Sequence, residues 1–533
     1  MPPKPSYADL GDGAAVVEYP ELSDTDANAA AVGLAGALAS PAIPGLRDAI
    51  PGARTLSLAF DPYTLPHEAM RREVLARAAS GTAVGSGRTV PIEVLYGGSG
   101  GPDLPELASR AGVTPEEFAR RHAAGEYRVA FLGFAPGFAY LTGLEAALRA
   151  PRLATPRPRV PAGSVAIGGP YTGVYPSATP GGWRLIGRCA VTLFDEESDA
   201  PALLHPGDLV RFELVTAARF TVLERELAKV SSQAPTFPGG RPVFRIVKPG
   251  VFTSIQGAPH YGRGASGLPP GGAMDPGAVA DGNARLGNAA DMPALEITFL
   301  GPELEAMADV RLCLAGAPVA AQRNGAAASA ESLVELKPGD VLKLGATRGG
   351  ARSYLCIEGG FQFPGRLALT RRLGAGEILM AGMSHRGRVA SGAEGTPAGD
   401  AATIPLRFVL DPRRERFFPP KAIEGFLSTE FRVSSTSDRR GVRLEGIAVG
   451  ASGSSEVSPE GTMRGTIQIP PDGQPIVLGP DRPITGGYAR LGKVIDADWA
   501  RLAQAPPGAA VRFSAVTLAQ ALAAGACGSG PEE

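Results

Sequence analysis

The density of chain-breaking residues is the sequence feature that most limits how this chain can fold. Of its 533 residues, 71 are glycine and 50 are proline, and they recur without a collagen-like period. Glycine supplies the positive φ angles of tight turns, and proline ends helices and interior strands. Because hydrophobic residues make up 44% of the chain, packed cores are available, and the pattern favours many short strands joined by turns.

The first hundred residues combine strand and helix patterns. Apolar runs and alternation predict strands over 14–22, 54–62 and 89–96. One helix is predicted to be capped by Asp24 or Thr25 and to end before Pro41. A second helix, over 66–80, has an apolar face formed by Met70, Val74, Leu75 and Ala78. This arrangement predicts a small α+β sandwich.

Three strand-rich segments follow a pair of short helices over 105–125, where Thr114 and Glu117 fit a capping box. Each segment ends in a similar Pro-Gly turn, at 205–215, 337–345 and 506–516. The repetition suggests that one β-fold is used three times. We place the boundaries at 1–100 for the N-terminal domain, 101–230, 243–395 and 403–522 for the three segments, 231–242 for a linker and 523–533 for a disordered tail.

Composition excludes several classes of function. The formal net charge is −1, so the composition shows no excess of positive charge of the kind that binds nucleic acid or an anionic membrane. No apolar run approaches the ~20 residues of a membrane span, and the N-terminus lacks an apolar signal core, so a cytoplasmic protein is expected. None of the four cysteines forms a CxxC pair, and no metal site is predicted. Phosphate-loop, dinucleotide and nucleophile-elbow motifs are absent.

Longer motifs add a resemblance to known families. The first half resembles the KipI family, also called the B subunit of 5-oxoprolinase or subunit 1 of allophanate hydrolase, through the motifs at 131–144, 155–188 and 193–212. The second half resembles the KipA family, the C subunit of 5-oxoprolinase or subunit 2 of allophanate hydrolase, through the motifs at 267–275, 284–304, 352–361, 437–446 and 465–498. The chain is therefore identified as a fusion of two subunits that are normally separate.

The resemblance implies a fold and a function. Both families are similar to the carboxyltransferase part of urea carboxylase, which implies a β-rich α+β chain with a small N-terminal α/β sandwich and three cyclophilin-like barrel segments. The implied activity is ATP-dependent opening of 5-oxoproline to glutamate, with Mg²⁺ and a separately encoded third subunit. A homo-oligomer is also compatible. No biotin is expected on this chain, because HEAM at 67–70 lacks the lysine that follows methionine in a carrier turn.

Two other functions stay open at this stage. One is a carboxyltransferase-like component that acts on urea, allophanate or a related amide, together with a separate biotin carboxylase and carrier. The other is a non-catalytic regulator that binds a kinase. Both follow from members of the same families.

The stretch 160–188 carries most of the candidate site of the first half. It is rich in glycine and has no acidic residue, so backbone N–H groups can approach a small ligand. Trp183 is expected to pack beside that ligand, near Gly173, and Arg184 or Arg188 to bind its carboxylate or phosphate. The alternative for the glycines is simple turn formation.

Other residues of the first half match family positions. His122 is a candidate general base or phosphate partner, with a helix-terminus role as the alternative. Arg157 and Arg159 are candidate ligand-binding residues, and a surface role for one of them is an equal alternative.

In the second half, Glu296 lies in the apolar strand ALEITF, where a carboxylate needs a partner. Asp275 and Asn288 are candidate ligand-binding residues with turn or cap roles as the alternative. The segment that carries Gln468, Gln474, Thr485 and Gly486 is the best candidate site of this half.

The chain departs from the family pattern at several polar positions. The family usually has glutamine where Tyr171 and Arg184 stand, and an aspartate after SIQ, where this chain has Gly257 followed by Pro259 and His260. Glutamine is also usual where Pro483 stands. These substitutions imply either an altered substrate or a regulatory role.

Overall fold

The computed structural model describes residues 4–80, 87–230, 240–328, 333–363, 370–382, 403–453 and 456–526. It confirms a β-rich α+β chain in which most helices are short. No helix in these ranges is long and apolar enough to cross a membrane. Residues 231–239 of the predicted linker and residues 527–533 of the predicted tail lie outside the described residues.

The N-terminal unit is a four-stranded sheet covered by two helices. Its elements are β1 (Ser6–Asp9), β2 (Ala14–Glu18), α1 (Asp24–Ala39), β3 (Leu46–Pro51), β4 (Thr55–Phe60) and α2 (His67–Ala79). The strand order is β1-β2-β4-β3, and apolar side chains of both helices share one core with the sheet.

Two local predictions for the N-terminal unit need correction. The cap of α1 is Ser23, whose hydroxyl accepts a hydrogen bond from the Asp26 backbone N–H, rather than Asp24 or Thr25. On α2, Met70, Val74 and Ala78 are buried as predicted, but Leu75 is on the exposed side. The strand β3 was not predicted, because its apolar positions are interrupted by Arg47 and Asp48.

A closed barrel of seven strands follows, in the order β10-β7-β6-β13-β5-β12-β9. Its region contains β5 (Thr89–Tyr96), α3 (Leu104–Ala111), α4 (Pro115–Ala123), β6 (Tyr127–Leu132), β7 (Ala139–Thr142), β8 (Arg157–Val160), β9 (Ser164–Gly168), β10 (Tyr171–Val174), β11 (Thr179–Gly181), β12 (Arg184–Cys189), β13 (Leu209–Leu214) and α5 (Ala217–Val230). Strands β8 and β11 pair as a separate ribbon. Because β5 belongs to the barrel, the boundary predicted at residue 100 moves to before Thr89.

The middle unit consists of two sheets around one apolar core. Their orders are β20-β19-β22-β17-β14-β24 and β15-β16-β23-β18-β21, and α6 packs on β18 and β23. The elements are β14 (Arg241–Lys248), β15 (Phe252–Gln256), α6 (Pro276–Leu286), β16 (Ala294–Thr298), β17 (Glu303–Ala306), β18 (Val310–Gly316), β19 (Val319–Arg323), β20 (Ala326–Ala328), β21 (Val334–Leu336), β22 (Val341–Thr347), β23 (Arg352–Ile357) and β24 (Ile378–Ala381). Since β14 begins at Arg241, the predicted linker ends before that residue.

The C-terminal unit is a second closed ring, because β25 pairs with both β32 and β31. The ring order is β25-β32-β26-β27-β30-β29-β31, and β28 pairs outside it on β31. The elements are β25 (Ile404–Leu410), α7 (Pro420–Ser428), β26 (Glu430–Val433), β27 (Gly441–Glu445), β28 (Glu456–Gly461), β29 (Thr466–Ile469), β30 (Ile476–Leu478), β31 (Thr485–Val494), α8 (Trp499–Ala503), β32 (Ala510–Ala515) and α9 (Leu518–Ala526). The first residues of the predicted tail are thus helical.

The repeated turns start equivalent strands in the two barrels. Gly207 and Gly508 have positive φ angles of 95° and 83°, which glycine adopts without strain. Each turn leads into the last barrel strand, and that strand pairs in parallel with the first one, β13 with β5 and β32 with β25. In the middle unit the corresponding turn leads into β22, whose two neighbours are both antiparallel.

The N-terminal sheet packs directly on the C-terminal barrel. A small apolar cluster joins Leu10, Val16 and Ile50 of the sheet to Met463 and Ile484 of the barrel. Backbone contacts fix the same interface, since the Ala53 N–H donates to the Pro459 carbonyl at 2.7 Å. The two halves of the chain therefore meet at a specific surface.

Candidate functional site

A pocket opens where the N-terminal sheet, the middle unit and the C-terminal barrel meet; we call it the junction pocket. The N-terminal unit contributes Gly13, Arg47 and Ala59. The loop 257–271 of the middle unit contributes Pro259, Tyr261, Pro270 and Gly271. The C-terminal barrel contributes Met463, Arg464, Pro480, Arg482, Lys493 and Asp496. Both halves of the chain are therefore needed to form it.

Arg482 is the unusual side chain of the junction pocket. It is only 4% exposed, and its Nε donates to the Thr462 carbonyl at 3.1 Å. Its two terminal nitrogens have no hydrogen-bond or ion-pair partner within the described ranges. Burial lowers the pKa of Arg482 to about 10, although the charge of Asp48 acts in the opposite direction. A buried cation without a close partner is unfavourable for the folded state.

The other cations of the junction pocket already have carboxylate partners. Their ion pairs are Lys493 with Asp12 and Asp496, Arg464 with Asp496 at 3.4 Å, and Arg47 with Asp61 at 3.3 Å. Arg47 also lies over the ring of Tyr261, 5.1 Å from its centroid. Arg482 is therefore the one cation in the described part of the pocket that has no ion-pair partner, although the charge of Asp48 is near.

Asp48 fixes the middle-unit wall of the junction pocket. It lies on β3, is buried, and its Oδ1 accepts a hydrogen bond from the Gly264 backbone N–H at 2.9 Å. A Cβ at Gly264 would lie 2.6 Å from Ile50 Cγ1, so glycine allows this close approach. Burial raises the pKa of Asp48 to about 6, and this rise is partly offset by the hydrogen bond from Gly264 and by the charge of Arg482.

Three predicted residues lie together beside the junction pocket. Thr485 donates from Oγ1 to the Leu132 carbonyl of the first barrel at 3.3 Å. A Cβ at Gly486 would lie 2.6 Å from Gln468 Nε2 and 3.2 Å from Thr462, the residue that binds Arg482. Gln468 is 5% exposed, and its amide has no hydrogen-bond partner among the residues that the structure describes. These contacts place the segment next to Arg482.

The predicted arginines of the first half lie elsewhere, and three of them have acidic partners. The ion pairs are Arg157 with Asp103 at 2.7 Å, Arg184 with Glu106 at 2.6 Å and Arg188 with Glu224 at 3.3 Å. Arg159 is exposed on β8. A ligand anion would have to compete with a carboxylate at each of the three pairs.

Trp183 is buried in an aromatic cluster with Phe138 and Tyr140. Gly173 lies against the same cluster, because a Cβ there would be 2.7 Å from the Ala139 carbonyl oxygen. Tyr171 packs on Tyr140 as well. The aromatic residues of the 160–188 stretch thus fill the space between strands instead of leaving a ligand cleft.

His122 lies inside the first barrel with both ring nitrogens bonded. Nδ1 is 2.8 Å from the Tyr96 hydroxyl, and Nε2 is 2.9 Å from Thr172 Oγ1. Burial lowers the pKa of His122 to about 3, so the ring is neutral at pH 7. This environment fits a core histidine that positions β5 and β10.

Glu296 is fully buried between the middle unit and the C-terminal barrel. Its Oε1 accepts from Arg439 at 2.6 Å, and its Oε2 accepts from the Met274 N–H at 2.7 Å and the Tyr354 hydroxyl at 2.9 Å. Burial alone would raise the pKa of Glu296, but Arg439 and Arg352 outweigh it and hold the pKa below its usual value. The carboxylate is therefore ionised and its oxygens are occupied.

The remaining predicted residues of the second half have structural contacts. Asp275 caps α6 by accepting from the Ala278 N–H at 3.1 Å. Asn288 holds the chain after α6 through the Gly359 N–H at 3.0 Å. Gln474 bonds both backbone groups of Gly446 on a partly exposed turn.

Sequence reasoning missed the residues of the junction pocket itself. Arg482 and Lys493 lie within the 465–498 motif that carried the family resemblance, but residue type alone does not distinguish them from surface cations. Pro259, one of the departures from the family pattern, lines the pocket. The available signal was a charged pair between two prolines, since Asp481 and Arg482 stand between Pro480 and Pro483.

Comparisons with known proteins agree with this division into halves. Residues 5–204 match the model of the carboxyltransferase domain, subdomains C and D, and residues 266–515 match that of subdomains A and B. The chain is 38% identical to the B subunit of 5-oxoprolinase from Bacillus subtilis over 230 residues, which are 41% of this chain and 95% of that protein. It is 32% identical to the C subunit of 5-oxoprolinase from Haemophilus influenzae over 284 residues, which are 50% of this chain and 89% of that protein.

A solved structure extends the similarity to almost the whole chain. The crystal structure of TTHA0988 matches with a TM-score of 0.78 and 32% identity, and the match covers 96% of this chain and 99% of that one. The order of the two family matches is the order of the two structural halves. The chain therefore belongs to the carboxyltransferase-domain family, as a fusion of one half similar to the B subunit of 5-oxoprolinase with another similar to its C subunit.

Proposed function

We propose that this chain is the fused B–C subunit of a cytoplasmic, ATP-dependent 5-oxoprolinase that hydrolyses the lactam of 5-oxo-L-proline to L-glutamate. The observation that carries the proposal is the near-complete coverage of two known subunits, 95% of one and 89% of the other, in one chain. The junction pocket supports it, because residues of both halves line one small cationic site.

The proposed chemistry needs donors more than it needs a protein nucleophile. In this scheme ATP phosphorylates the lactam oxygen and leaves as ADP. Water then attacks the carbon that bears the phosphorylated oxygen, the ring C–N bond breaks and the nitrogen takes a proton, which leaves the acyl phosphate of glutamate. A second water hydrolyses this acyl phosphate to the carboxylate, and phosphate departs. Positioned cations and backbone N–H groups stabilise the charge that develops on oxygen. Within this scheme the chain binds and orients the substrate, and the reaction also requires a separate third subunit.

The junction pocket does not suit the ATP triphosphate. Polyphosphate sites combine several cationic and backbone donors, usually with Mg²⁺. In the described part of this pocket, only Arg482 is a cation without an ion-pair partner. We therefore assign neither ATP nor Mg²⁺ to these residues. The proposal places only the organic substrate there.

The direct test is reconstitution with a purified third subunit of the 5-oxoprolinase A type. Glutamate and ADP are measured with 5-oxo-L-proline and ATP, for this chain alone, for the third subunit without it and for the mixture. Equimolar glutamate and ADP from the mixture only is the expected result. A mixture of two folded proteins that consumes no 5-oxoproline would contradict the proposal.

A second candidate is a carboxyltransferase component for urea or a related amide. The description of both matching family models as carboxyltransferase domains favours it. This activity would require a separate biotin carboxylase and carrier protein. Incorporation of labelled bicarbonate into urea in the presence of those two proteins, with no glutamate formed in the first assay, would favour this candidate.

A further inference from the structure

We propose that the junction pocket binds the carboxylate of a small monocarboxylic acid, with Arg482 as the residue that anchors it. The inference rests on the proposed function, since 5-oxoproline is a lactam that carries one carboxylate. It goes further by naming the residue that selects the acid. Arg482 is not among the candidate site residues that the sequence suggested.

The ion pairs of the junction pocket leave one cation available for a ligand with one negative charge. Lys493, Arg464 and Arg47 are each paired with an aspartate. Among the described arginines of the pocket, Arg482 alone has both terminal nitrogens without a partner, and its Nε is already held by the Thr462 carbonyl. A fixed guanidinium with two free terminal nitrogens matches the two oxygens of a carboxylate. A neutral amide such as urea would leave Arg482 without an ion-pair partner.

The rest of the junction pocket matches a compact ring. Pro259, Pro270, Pro480 and Met463 provide apolar walls, and Tyr261 adds an aromatic surface. Such walls can pack against a small ring beside the charged contact. Ring and carboxylate together describe a cyclic amino-acid derivative better than a nucleotide.

The energetics of Arg482 also indicate a ligand site. Its pKa is lowered by burial, so its positive charge destabilises the fold while the pocket is without an anion. An arginine with a purely structural role, such as Arg439 with its bonds to Glu296 and Asp481, is stabilised by its partners instead. Removing the charge of Arg482 is therefore expected to leave stability unchanged or to raise it, while ligand binding is lost.

The test compares Arg482→Gln and Arg482→Lys with Arg443→Gln, a change at an exposed arginine of the same barrel. Binding of 5-oxo-L-proline, 2-pyrrolidinone, acetate, bicarbonate and MgATP to the full chain is measured by calorimetry. We expect 5-oxo-L-proline to bind the wild type and 2-pyrrolidinone, the same ring without the carboxylate, to bind at least tenfold more weakly. Arg482→Gln should lose tenfold or more in affinity for the acid, Arg482→Lys less, and Arg443→Gln nothing.

Further measurements separate the possible outcomes. Thermal unfolding of Arg482→Gln, which removes the buried charge, should show a melting temperature equal to or above that of the wild type. MgATP binding should not change in either Arg482 variant. In the reconstituted complex, KM for 5-oxoproline should rise at least tenfold with KM for ATP unaltered.

Undiminished 5-oxoproline binding by both Arg482 variants would overturn the assignment, even if the complex makes glutamate. So would a wild-type chain that binds no carboxylate while the complex is active. Binding of acetate or bicarbonate but not 5-oxoproline, all lost in Arg482→Gln, would keep the carboxylate site and contradict the proposed substrate.

Discussion

Replacing Glu296 by glutamine tests whether this buried carboxylate supports the fold or the chemistry. The amide keeps the size of the side chain but can present an acceptor to only one of two donor sets, Arg439 on one side or the Met274 N–H and Tyr354 hydroxyl on the other. Hydrogen bonds to charged groups contribute about 1.5–3 kcal/mol each. Breaking a buried ion pair by removing one charge costs about 3–5 kcal/mol, and we expect Glu296→Gln to lose that amount.

The assay is thermal unfolding followed by circular dichroism, with Glu305→Gln as the matched control. Glu305 pairs with Arg245 at the surface of the same unit, where an ion pair contributes about 0–1 kcal/mol. A loss of about 3–5 kcal/mol lowers the melting temperature of a unit of 150–250 residues by about 6–20 °C. An unchanged melting temperature together with lost turnover would refute the structural role and restore Glu296 as a catalytic candidate.

Two further predictions concern the first barrel. His122 has a folded pKa of about 3, below its unfolded value near 6.5, so it stays neutral in the fold and stability falls as pH drops through 6.5. The free energy of unfolding falls by about 2 kcal/mol between pH 7.5 and 5 as a result. His122→Gln should flatten this part of the pH–stability profile. An unchanged profile would disprove the buried neutral state. Gly133→Ala places a Cβ 1.7 Å from Thr485 Oγ1 and should cost about 1–3 kcal/mol, relieved by Thr485→Gly. The control is Gly36→Ala, which lies in open space on α1 and should stabilise the fold by up to about 1 kcal/mol. Equal melting temperatures for the two alanine variants would contradict the close contact between Gly133 and Thr485.

Local patterns were sufficient for much of the fold. Apolar runs and alternation identified β2, β4 and β5, cap and stop signals identified α1, and helical spacing identified α2. The same reasoning failed where pairing partners are distant in sequence. β5 looked like part of the N-terminal unit, yet it closes the barrel by pairing with β12 and β13, about ninety or more residues later. Nothing in a strand's own residues encodes which neighbour it joins.

The candidate site was harder to predict for a related reason. The stretch 160–188 predicted a ligand site at Trp183, Arg184 and Arg188 because it lacks acidic residues. In the fold, Arg184 pairs with Glu106 of α3 and Arg188 pairs with Glu224 of α5. Arg482 is the opposite case. An acidic residue, Asp481, precedes it directly in sequence, but the carboxylate of Asp481 pairs with Arg439 instead. Whether a cation is available to a ligand depends on which carboxylates the fold brings within ion-pair distance, and sequence proximity does not determine that. An unpaired buried arginine is therefore visible only in the folded chain, and this is why the strongest functional inference comes from a residue that sequence patterns did not distinguish.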